Sequence, residues 1–268
     1  KNRIGGITLA DGTAFGGTAE GEPLYRYYGY VVDHIIETQE QADNAMYDSS
    51  AKGYRPSDGK NIAGRKEIGD YEWKNREGSQ TKDGKDYIDS QDQFLLGYTV
   101  PHSTGGLNNN FTYKNFTLNI FVDWALGHSI NNNSEMRYFM NTFANNYTLI
   151  DEVKQCWKQP GDNTKYARFT ANDPDDGNAN FSRTSNVFNY KGDYLCIREI
   201  SLQYNVPTNK LTKLGIQNLA ITLAGNNLHY FTAVKGVSPE VGASTTYNKD
   251  YYNYPPIRKY SVGVKVTF

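Results

Sequence analysis

The final nine residues alternate strictly in polarity, and this pattern constrains the fold more than any other feature of the chain. Apolar or aromatic residues fill the even positions, and small or polar residues fill the odd ones. A period of two is that of a β-strand whose two faces meet different surroundings. A soluble edge strand could alternate in the same way, but it would rarely end on an aromatic residue. The apolar positions are Tyr260, Val262, Val264, Val266 and Phe268.

The composition is polar but rich in aromatic residues. The 268-residue chain has a net charge of −1, 38% hydrophobic residues and 22 tyrosines, and its mean hydropathy is −0.70. A membrane barrel with a wet lumen, polar loops and aromatic girdles has this composition. A disordered segment could share it, but ordered alternation argues against disorder. The near-neutral charge gives no reason to expect nucleic-acid binding, and no apolar run reaches the ~18 residues of a transmembrane helix.

Alternating segments predict six strands, of which the second and third form a hairpin around a tight turn at Lys114 and Asn115. The fourth strand is irregular in phase near its start, as at a rim or a bulge. A spanning barrel strand needs only ~10 residues of this character. The predicted strands are Tyr25–Ile36, Leu107–Tyr113, Phe116–Ala125, Tyr194–Val206, Leu219–His229 and Ile257–Phe268.

Short and long connections alternate between these strands. The short ones lie at 114–115 and 207–218, and the long ones at 37–104, 127–193 and 230–256. A meandering barrel places short turns at one end of its sheet and long loops at the other. We also expect a helix at Ser134–Trp157, from apolar spacing of three and four residues, and a short helix at Asn209–Leu214. The polar positions of the hairpin give four candidates for lumen-facing side chains: Asn108, Asn110, Asn119 and Asp123.

Several motifs, in their order along the chain, resemble those of the SusC/RagA-like TonB-dependent transporters of Bacteroidetes outer membranes. The resemblance rests on the order of these motifs, on their spacing and on the terminal Phe268. The motifs are Glu20–Leu24 with Tyr27–Tyr30 and Asp33–Ile36; Gly69–Lys74; Trp157, Pro160, Gly161 and Arg168; Leu195, Arg198 and Ser201–Tyr204; Gly225–Leu228; Ser238–Val241; and Tyr254–Arg258.

This resemblance implies an all-β transmembrane barrel of roughly 22 antiparallel strands. Residues 1–268 are then expected to be its C-terminal part, with the last six strands, and the plug domain and TonB box are expected to precede this chain. The final strand would carry the barrel-assembly signal, with Phe268 in the periplasm and the long loops outside the cell. By resemblance, the partners are the rest of the barrel and plug, a SusD-like lipoprotein and TonB–ExbB–ExbD. The expected cargo is an oligosaccharide or an oligopeptide.

Little in the sequence points to catalysis or to a metal. No nucleophile motif or phosphate loop is present, so we do not expect an enzyme. A weak calcium candidate contains Asp83, Asp89 and Asp92, although its glycine-to-isoleucine gap is two residues longer than the family pattern. The stretch 173–177 is interpreted as a turn in preference to a calcium loop. The four histidines do not have the spacing of zinc ligands. Cys156 and Cys196 are too few to define a disulfide framework.

Two other functions remain open at this stage. A soluble, tyrosine-rich β-sandwich that binds carbohydrate at the cell surface would also alternate in polarity, but it would be extracted without detergent. A passive porin would share the barrel and lack an upstream plug. These six strands alone would leave two open sheet edges, so an isolated fragment is expected to aggregate or stay unfolded in detergent.

Overall fold

The computed structural model describes residues 26–48, 51, 54–55, 60–61, 64–76, 86–131, 140, 148–170, 179–207, 209, 211, 215–234, 238–240 and 256–268. In these ranges, most regular structure is β. Helical structure is confined to α1 (Gln39–Asn44) and to short 3-10 turns that include Ser90–Asp92 and Asp151–Gln155. The strands are β1 (Arg26–Gly29), β2 (Val32–Ile35), β3 (Tyr47–Asp48), β4 (Tyr54–Arg55), β5 (Lys60–Asn61), β6 (Tyr71–Trp73), β7 (Tyr87–Ile88), β8 (Phe94–Tyr98), β9 (Ser103–Tyr113), β10 (Phe116–Leu126), β11 (Ser129–Asn131), β12 (Asn189–Lys191), β13 (Tyr194–Asn205), β14 (Asn218–Thr232) and β15 (Lys259–Thr267).

The chain divides into two compact units. The sheet unit contains residues 100–130, 191–243 and 250–268, and the loop unit contains residues 1–99, 131–190 and 244–249. The loop unit is thus built mainly from segments that the sequence places in long connections. Within the described residues, no helix combines the length and the apolarity needed to cross a bilayer.

One antiparallel sheet of five strands, in the order β15-β14-β13-β10-β9, forms the sheet unit. Its order follows the chain, as in a meander, and β9 and β15 are its edges. The predicted turn at Lys114 and Asn115 joins β9 to β10, and Lys114 adopts a positive φ of 53°. The connection from β13 to β14 lies at the same end, where Asn205 N donates to Asn115 O at 2.8 Å. The predicted alternation of short and long connections is therefore confirmed for these strands.

The register gives this sheet two chemically distinct faces. Cross-strand partners share a face, so the pairing of Leu118 with Phe111 and Leu202 extends an apolar row across β9, β10 and β13. The row continues from Leu202 through Leu223 to Val262. Many of these side chains are exposed, which a core-facing sheet would not allow. The opposite face carries polar side chains of the same strands and is called the polar face below.

The loop unit has an ordinary buried core. Tyr71, Trp73, Phe181 and Phe188 are almost fully buried, together with Met140 and Cys156. Their rings meet edge-on or tilted, with centroids 5.4 Å apart for Tyr71 and Trp73 and 6.0 Å apart for Tyr71 and Phe181. Such packing contributes beyond the area that it buries. These connections therefore form a packed structure.

The sequence predicted one continuous strand at Tyr25–Ile36, and this prediction is wrong, because the segment does not join the five-stranded sheet. Residues 26–35 form two short strands of the loop unit, where β1 pairs with β8 and β2 pairs with β6. Close packing against Gly29 gives a physical reason, because a Cβ there would stand 2.7 Å from the Thr184 carbonyl oxygen. Tyr30 N also donates to this carbonyl, at 3.0 Å. These contacts end the pairing of β1 with β8 at Gly29, and the chain pairs again only at β2, with β6.

The two predicted helices fall mostly outside the described residues. In the first, Asp151–Gln155 forms a 3-10 helix and not an α-helix, and it ends at Cys156. In the second, Asn209 and Leu211 are described, and Leu211 is buried. One helix that the sequence analysis did not predict is α1, which begins after Thr38. The Thr38 side chain accepts from Gln41 N at 3.2 Å, and the Gln41 side chain accepts from Thr38 N at 3.1 Å. This reciprocal pair is a capping box.

Candidate functional site on the polar face of the sheet

A β-bulge in β13 places Arg198 over the polar face. The pairing of β13 with β10 shifts between Phe121 and Val122, and its pairing with β14 shifts between Ile197 and Glu199. Arg198 is therefore the extra residue of the bulge that the irregular phase predicted. A bulge changes the direction in which a side chain points. Here it turns the guanidinium toward polar groups of β10 and β14.

The Arg198 guanidinium contacts groups from three separate segments. It grips the Asp123 carboxylate with two hydrogen bonds, Nε to Oδ1 at 3.0 Å and Nη2 to Oδ2 at 2.7 Å. Its Nη1 donates to Asn227 Oδ1 at 2.9 Å and to Tyr230 Oη at 3.1 Å. Its Nη2 also donates to the Glu240 carboxylate. Arginine suits this position because its planar fork offers several fixed donors at once.

Two contacts hold the turn at Ser238–Glu240 over the polar face. Glu240 pairs with Arg198, and the carbonyl of Pro239 accepts a hydrogen bond from the buried His128. Within the turn, Glu240 N donates to Ser238 Oγ at 3.2 Å. Burial lowers the pKa of His128, and the bond to Pro239 opposes that shift.

The charges of this cluster do not cancel. One guanidinium faces the carboxylates of Asp123 and Glu240, so the three side chains together carry about one negative charge. Each side chain is 21–25% exposed, so water reaches the cluster and weakens its charge interactions. The donors of Arg198 are already used in these contacts, so its role is to link the sheet to the turn at Ser238–Glu240. The carboxylates and Tyr230 are the groups through which this cluster can meet a solute.

The four lumen-facing candidates all lie on the polar face, as judged from the register. Asn110 pairs with Asn119, Asn108 pairs with Phe121, and Asp123 pairs with Gly106. Of the four, Asp123 joins the Arg198 cluster. Asn119 Oδ1 is buried and has no hydrogen-bond partner among the described residues. That these side chains line a lumen remains a prediction.

Three family motifs thus meet at one place, which sequence analysis did not foresee. Arg198, Asn227 and Glu240 belong to separate motifs and are joined here by direct hydrogen bonds. The irregular phase of the fourth strand was the available signal for the bulge. The partners could not be derived from it, because they depend on the register of β14 and on the path of the following connection.

A second convergence of motifs occurs inside the loop unit. Arg168 Nε donates to Asp70 Oδ1 at 2.6 Å, and Asn180 Nδ2 donates to the same atom at 2.9 Å. Asp70 is fully buried, and a buried carboxylate is tolerated only when it is paired and hydrogen-bonded. Gly69, with φ +93°, lies against Trp157, and a Cβ there would come within 2.5 Å of that ring. These motif residues therefore fasten the connections to one another.

Burial shifts the ionisation of several groups in the loop unit. It raises the pKa of the Cys156 thiol to about 12, and nearby Lys158 opposes this shift. Burial also raises the pKa of Tyr166 to about 12 and lowers the pKa of Lys165. The Lys165 ammonium lies 5.1 Å from the centre of the Tyr166 ring. Cys156 and Cys196 are free thiols, both buried.

The described part of the weak calcium candidate is occupied by protein donors. The Asp89 carboxylate accepts from Gln91 N at 2.6 Å. The Asp92 carboxylate accepts from Arg76 N at 2.6 Å and from Asp89 N at 2.8 Å. Asp83 and the stretch 173–177 lie outside the described residues. Across the ranges that are described, no three His, Cys, Asp or Glu side chains group as a metal site requires. Calcium binding at this loop stays a prediction.

Comparison with known proteins gives matches to receptors and transporters. No family model matches the sequence. TonB-dependent receptor P3 of Formosa agariphila is 28% identical over 194 residues, which cover 69% of this chain and 18% of the receptor. TonB-dependent receptor P39 of the same organism is 27% identical over 200 residues, 70% of this chain and 18% of the receptor. The chain thus spans about a fifth of the length of these relatives.

Two solved structures have a similar fold. The RagAB peptide transporter matches with a TM-score of 0.62 at 17% identity, over 93% of this chain and 23% of that one. The RagAB peptide importer in its closed-closed state matches with a TM-score of 0.58, also at 17% identity, over 98% of this chain and 25% of that one.

The sheet of this chain therefore has the fold of part of the RagAB peptide transporter structure. Its exposed apolar face is of the kind that a membrane barrel turns toward lipid. The sequence is similar to TonB-dependent receptors. The resemblance to SusC/RagA-like TonB-dependent transporters is confirmed.

Proposed function

We propose that this chain supplies barrel wall and outer connections to a TonB-dependent importer in the outer membrane of a Gram-negative, Bacteroidetes-like bacterium. The cargo is an oligopeptide or an oligosaccharide. The observation that carries this proposal is the two-faced sheet, whose apolar rows are exposed while its charges lie on the other face. Its similarity to TonB-dependent receptors supports energy-coupled import, because a passive porin has no use for a TonB partner.

The polar face lines the path of the solute in this proposal. Asn108, Asn110 and Asn119 offer amides that both donate and accept hydrogen bonds, and Tyr230 offers a ring with a hydroxyl group. These groups suit either peptide bonds or sugar hydroxyls. The RagAB structures are of a peptide transporter, which makes oligopeptides the first class to test. A SusD-like surface lipoprotein and TonB–ExbB–ExbD are the proposed partners.

The Arg198 cluster has a positioning role in the same proposal. It keeps the turn at Ser238–Glu240 over the polar face, where the turn narrows the path and presents the Glu240 carboxylate to the solute. If the cluster is opened, the turn loses its main charged contact with the sheet. The cost to folding is modest because the three charged groups remain partly in water.

The first experiment removes the gene from its source cell and measures growth and uptake on defined oligopeptides and on defined glycans. Loss of uptake of one class identifies the cargo. Deletion of the TonB homologue in the same strain must reproduce that loss, since the proposed transport needs energy coupling. Unchanged uptake of both classes in the gene deletion would contradict the proposal, and TonB-independent uptake would favour the passive porin.

The second experiment tests the polar face directly. We expect Arg198→Met to change the uptake rate or the size limit of the cargo while the protein still reaches the membrane. Lys265→Met is the matched control, because it removes an exposed cation from the same face away from the cluster. Equal effects of the two variants would show that general charge is what matters and would remove the proposed role of Arg198.

The soluble β-sandwich remains a distinct alternative with a simple test. A sandwich buries the apolar face of each sheet against a second sheet. In the sheet unit, Val262 and Leu223 on this face are instead more than half exposed. Extraction of the protein from cells by salt or by alkaline buffer without detergent would favour the sandwich, whereas a need for detergent supports the barrel.

A further inference from the structure

A groove interrupts the apolar face of the sheet. It has a volume of about 430 Å³ and is lined chiefly by Ile200, Leu202, Leu223, Leu228, Tyr260 and Val262. These residues come from three adjacent strands, so the groove runs across β13, β14 and β15. Its lining is mostly apolar, and it opens on the membrane-facing side.

Gly225 creates the depression. It is paired with Ile200 on one side and with Tyr260 on the other. At this point of the apolar row the side chain is missing, while the rows on both sides carry large ones. A Cβ at Gly225 would stand 2.7 Å from Leu228 Cδ2. The neighbouring Leu228 is therefore packed over the glycine and forms one wall of the groove.

Its place on the sheet identifies the kind of ligand. A barrel face in this position is surrounded by lipid tails, which are as apolar as the side chains that they meet. Burial of apolar area therefore gives no preference for one lipid position over another. A concave surface gives such a preference, because a chain that fills it gains dispersion contacts that a flat wall does not provide. The groove thus favours one immobilised acyl chain.

An exposed arginine, Arg258, lies near the end of the groove where a head group would lie. It comes two residues before Tyr260 in the chain. The intervening Lys259 pairs with Asn226 and lies on the polar face, so it takes no part in the groove. Arg258 immediately precedes β15, and since residues of an extended chain advance by at most ~3.3 Å each, it lies within about 7 Å of Tyr260 along the chain. Tyrosine commonly lies at the boundary between tails and head groups in barrels. An arginine just beyond this boundary matches a phosphate in both charge and geometry.

We propose that this groove is a binding site for one acyl chain of an anionic membrane lipid, whose head group is contacted by Arg258. The site lies on the outside of the wall and is separate from the Arg198 cluster on the polar face. It does not depend on the cargo of the transporter. A transporter of any solute, or a passive porin with this sheet, would hold the lipid equally well.

The test measures lipid retained by the full-length protein purified in detergent. Native mass spectrometry is applied after reconstitution with phosphatidylglycerol or with phosphatidylcholine of the same chain length. We expect one tightly held lipid, with phosphatidylglycerol preferred. Gly225→Leu fills the groove and should lose that lipid. Arg258→Gln should keep an acyl chain but lose the preference for the anionic head group.

Val266→Phe is the matched control, because it adds volume to the same face of β15 outside the groove and should retain the lipid. Equal retention by Gly225→Leu and the original protein would overturn the proposal, and so would retention without head-group preference. Loss of a dimer in Gly225→Leu, with lipid unchanged, would identify a second copy as the occupant and overturn it as well.

A photoreactive acyl chain provides a second measurement that needs no variant. Crosslinks to Tyr260 or Leu228 are expected from the unmodified protein, and these remain informative if Gly225→Leu fails to fold. Crosslinks spread evenly over the apolar face would contradict a defined site. Transport activity enters neither measurement, so failure of the lipid site and failure of the proposed import can be told apart.

Discussion

The sheet unit and the loop unit place the same kinds of side chain in opposite surroundings. Phe111 on the apolar face of the sheet is 57% exposed, whereas Phe181 in the loop unit is 1% exposed. The sheet keeps its charged cluster on one face and most of its large apolar side chains on the other. The loop unit follows the usual rule and buries its aromatic residues. The difference is what the proposed barrel requires, in which lipid tails cover the apolar face of the sheet and water surrounds the loop unit.

Charged groups show the same contrast. In the sheet unit, Arg198 joins two carboxylates that remain in contact with water. In the loop unit, the buried Asp70 is held by Arg168 and Asn180. Removing one partner of a buried pair leaves a charge without compensation, which costs much more than the loss of a wet pair. The motif residues therefore have different energetic weight in the two units.

The largest effect is expected from removing an aromatic side chain in the two surroundings. Phe181→Ala should destabilise the loop unit by about 3–5 kcal/mol, because it leaves a cavity in a packed core. Phe111→Ala is the matched control and should cost less than about 1 kcal/mol, since lipid or detergent refills the space. Hydrogen exchange and limited proteolysis of each unit measure this difference. Similar losses for the two variants would mean that the sheet face is packed against protein.

A charge placed on either face of β10 sharpens the assignment of the faces. Ile120→Arg puts a cation on the apolar row and should cost about 2–4 kcal/mol near the middle of a membrane. Asn119→Arg introduces the same residue one position earlier, on the polar face, and should cost much less. Urea unfolding of the full-length protein, followed by its heat-modifiable gel mobility, reports both values. A larger loss for Asn119→Arg would reverse the two faces.

Two glycines with positive φ, one in each unit, separate the cost of close packing from the cost of backbone conformation. Gly69→Ala combines left-handed strain with a clash against Trp157 and should cost about 2–3 kcal/mol. Gly215→Ala in the sheet unit has the same kind of backbone but no atom within 4 Å of the new Cβ, so about 1 kcal/mol is expected. Thermal unfolding gives the two values. Equal losses would mean that conformation alone is responsible.

The smallest effect at neutral pH is that of the buried thiol Cys156, which contributes only under alkaline conditions. Because burial raises the pKa of Cys156 from 9.0 to about 12, the unfolded chain releases this proton first. Stability of the loop unit should therefore be full below pH 9 and fall as pH rises from 9 toward 12, by up to about 1.4 kcal/mol per unit.

Comparison with Cys156→Ala isolates this contribution from those of Tyr166 and Lys165. Tyr166 acts in the same direction, because its pKa is also raised. Lys165 acts in the opposite direction below its ordinary pKa of 10.5, because its pKa is lowered. Identical pH profiles for the variant and the original protein would show that the thiol is not buried. Rapid alkylation of Cys156 at pH 8 would show the same.

The sequence predicted strands and their faces correctly where apolar and polar residues alternate regularly, with each face of the strand in one kind of surroundings. The alternation in β10 and β15 predicted both strands, their faces and the turn at Lys114, because a strand has a fixed side-chain period. It failed at residues 26–35, where aromatic residues occupy both sides and the pattern gives no face. There, Gly29 and the Thr184 carbonyl decide the local pairing. Contacts of this kind join residues more than 150 positions apart, and local sequence does not encode them.

By itself, the sequence determined the two-faced sheet, the alternation of its connections and its likeness to a family of transporters. These properties follow from side-chain periodicity and from short motifs, which are local. Only the tertiary structure decided that Arg198 meets Asp123 and Glu240, that Asp70 meets Arg168, and that Gly225 opens a groove. Each of these depends on strand register and on the packing of distant connections. Register and packing are set by the whole chain, so the site could be described only after the fold was known.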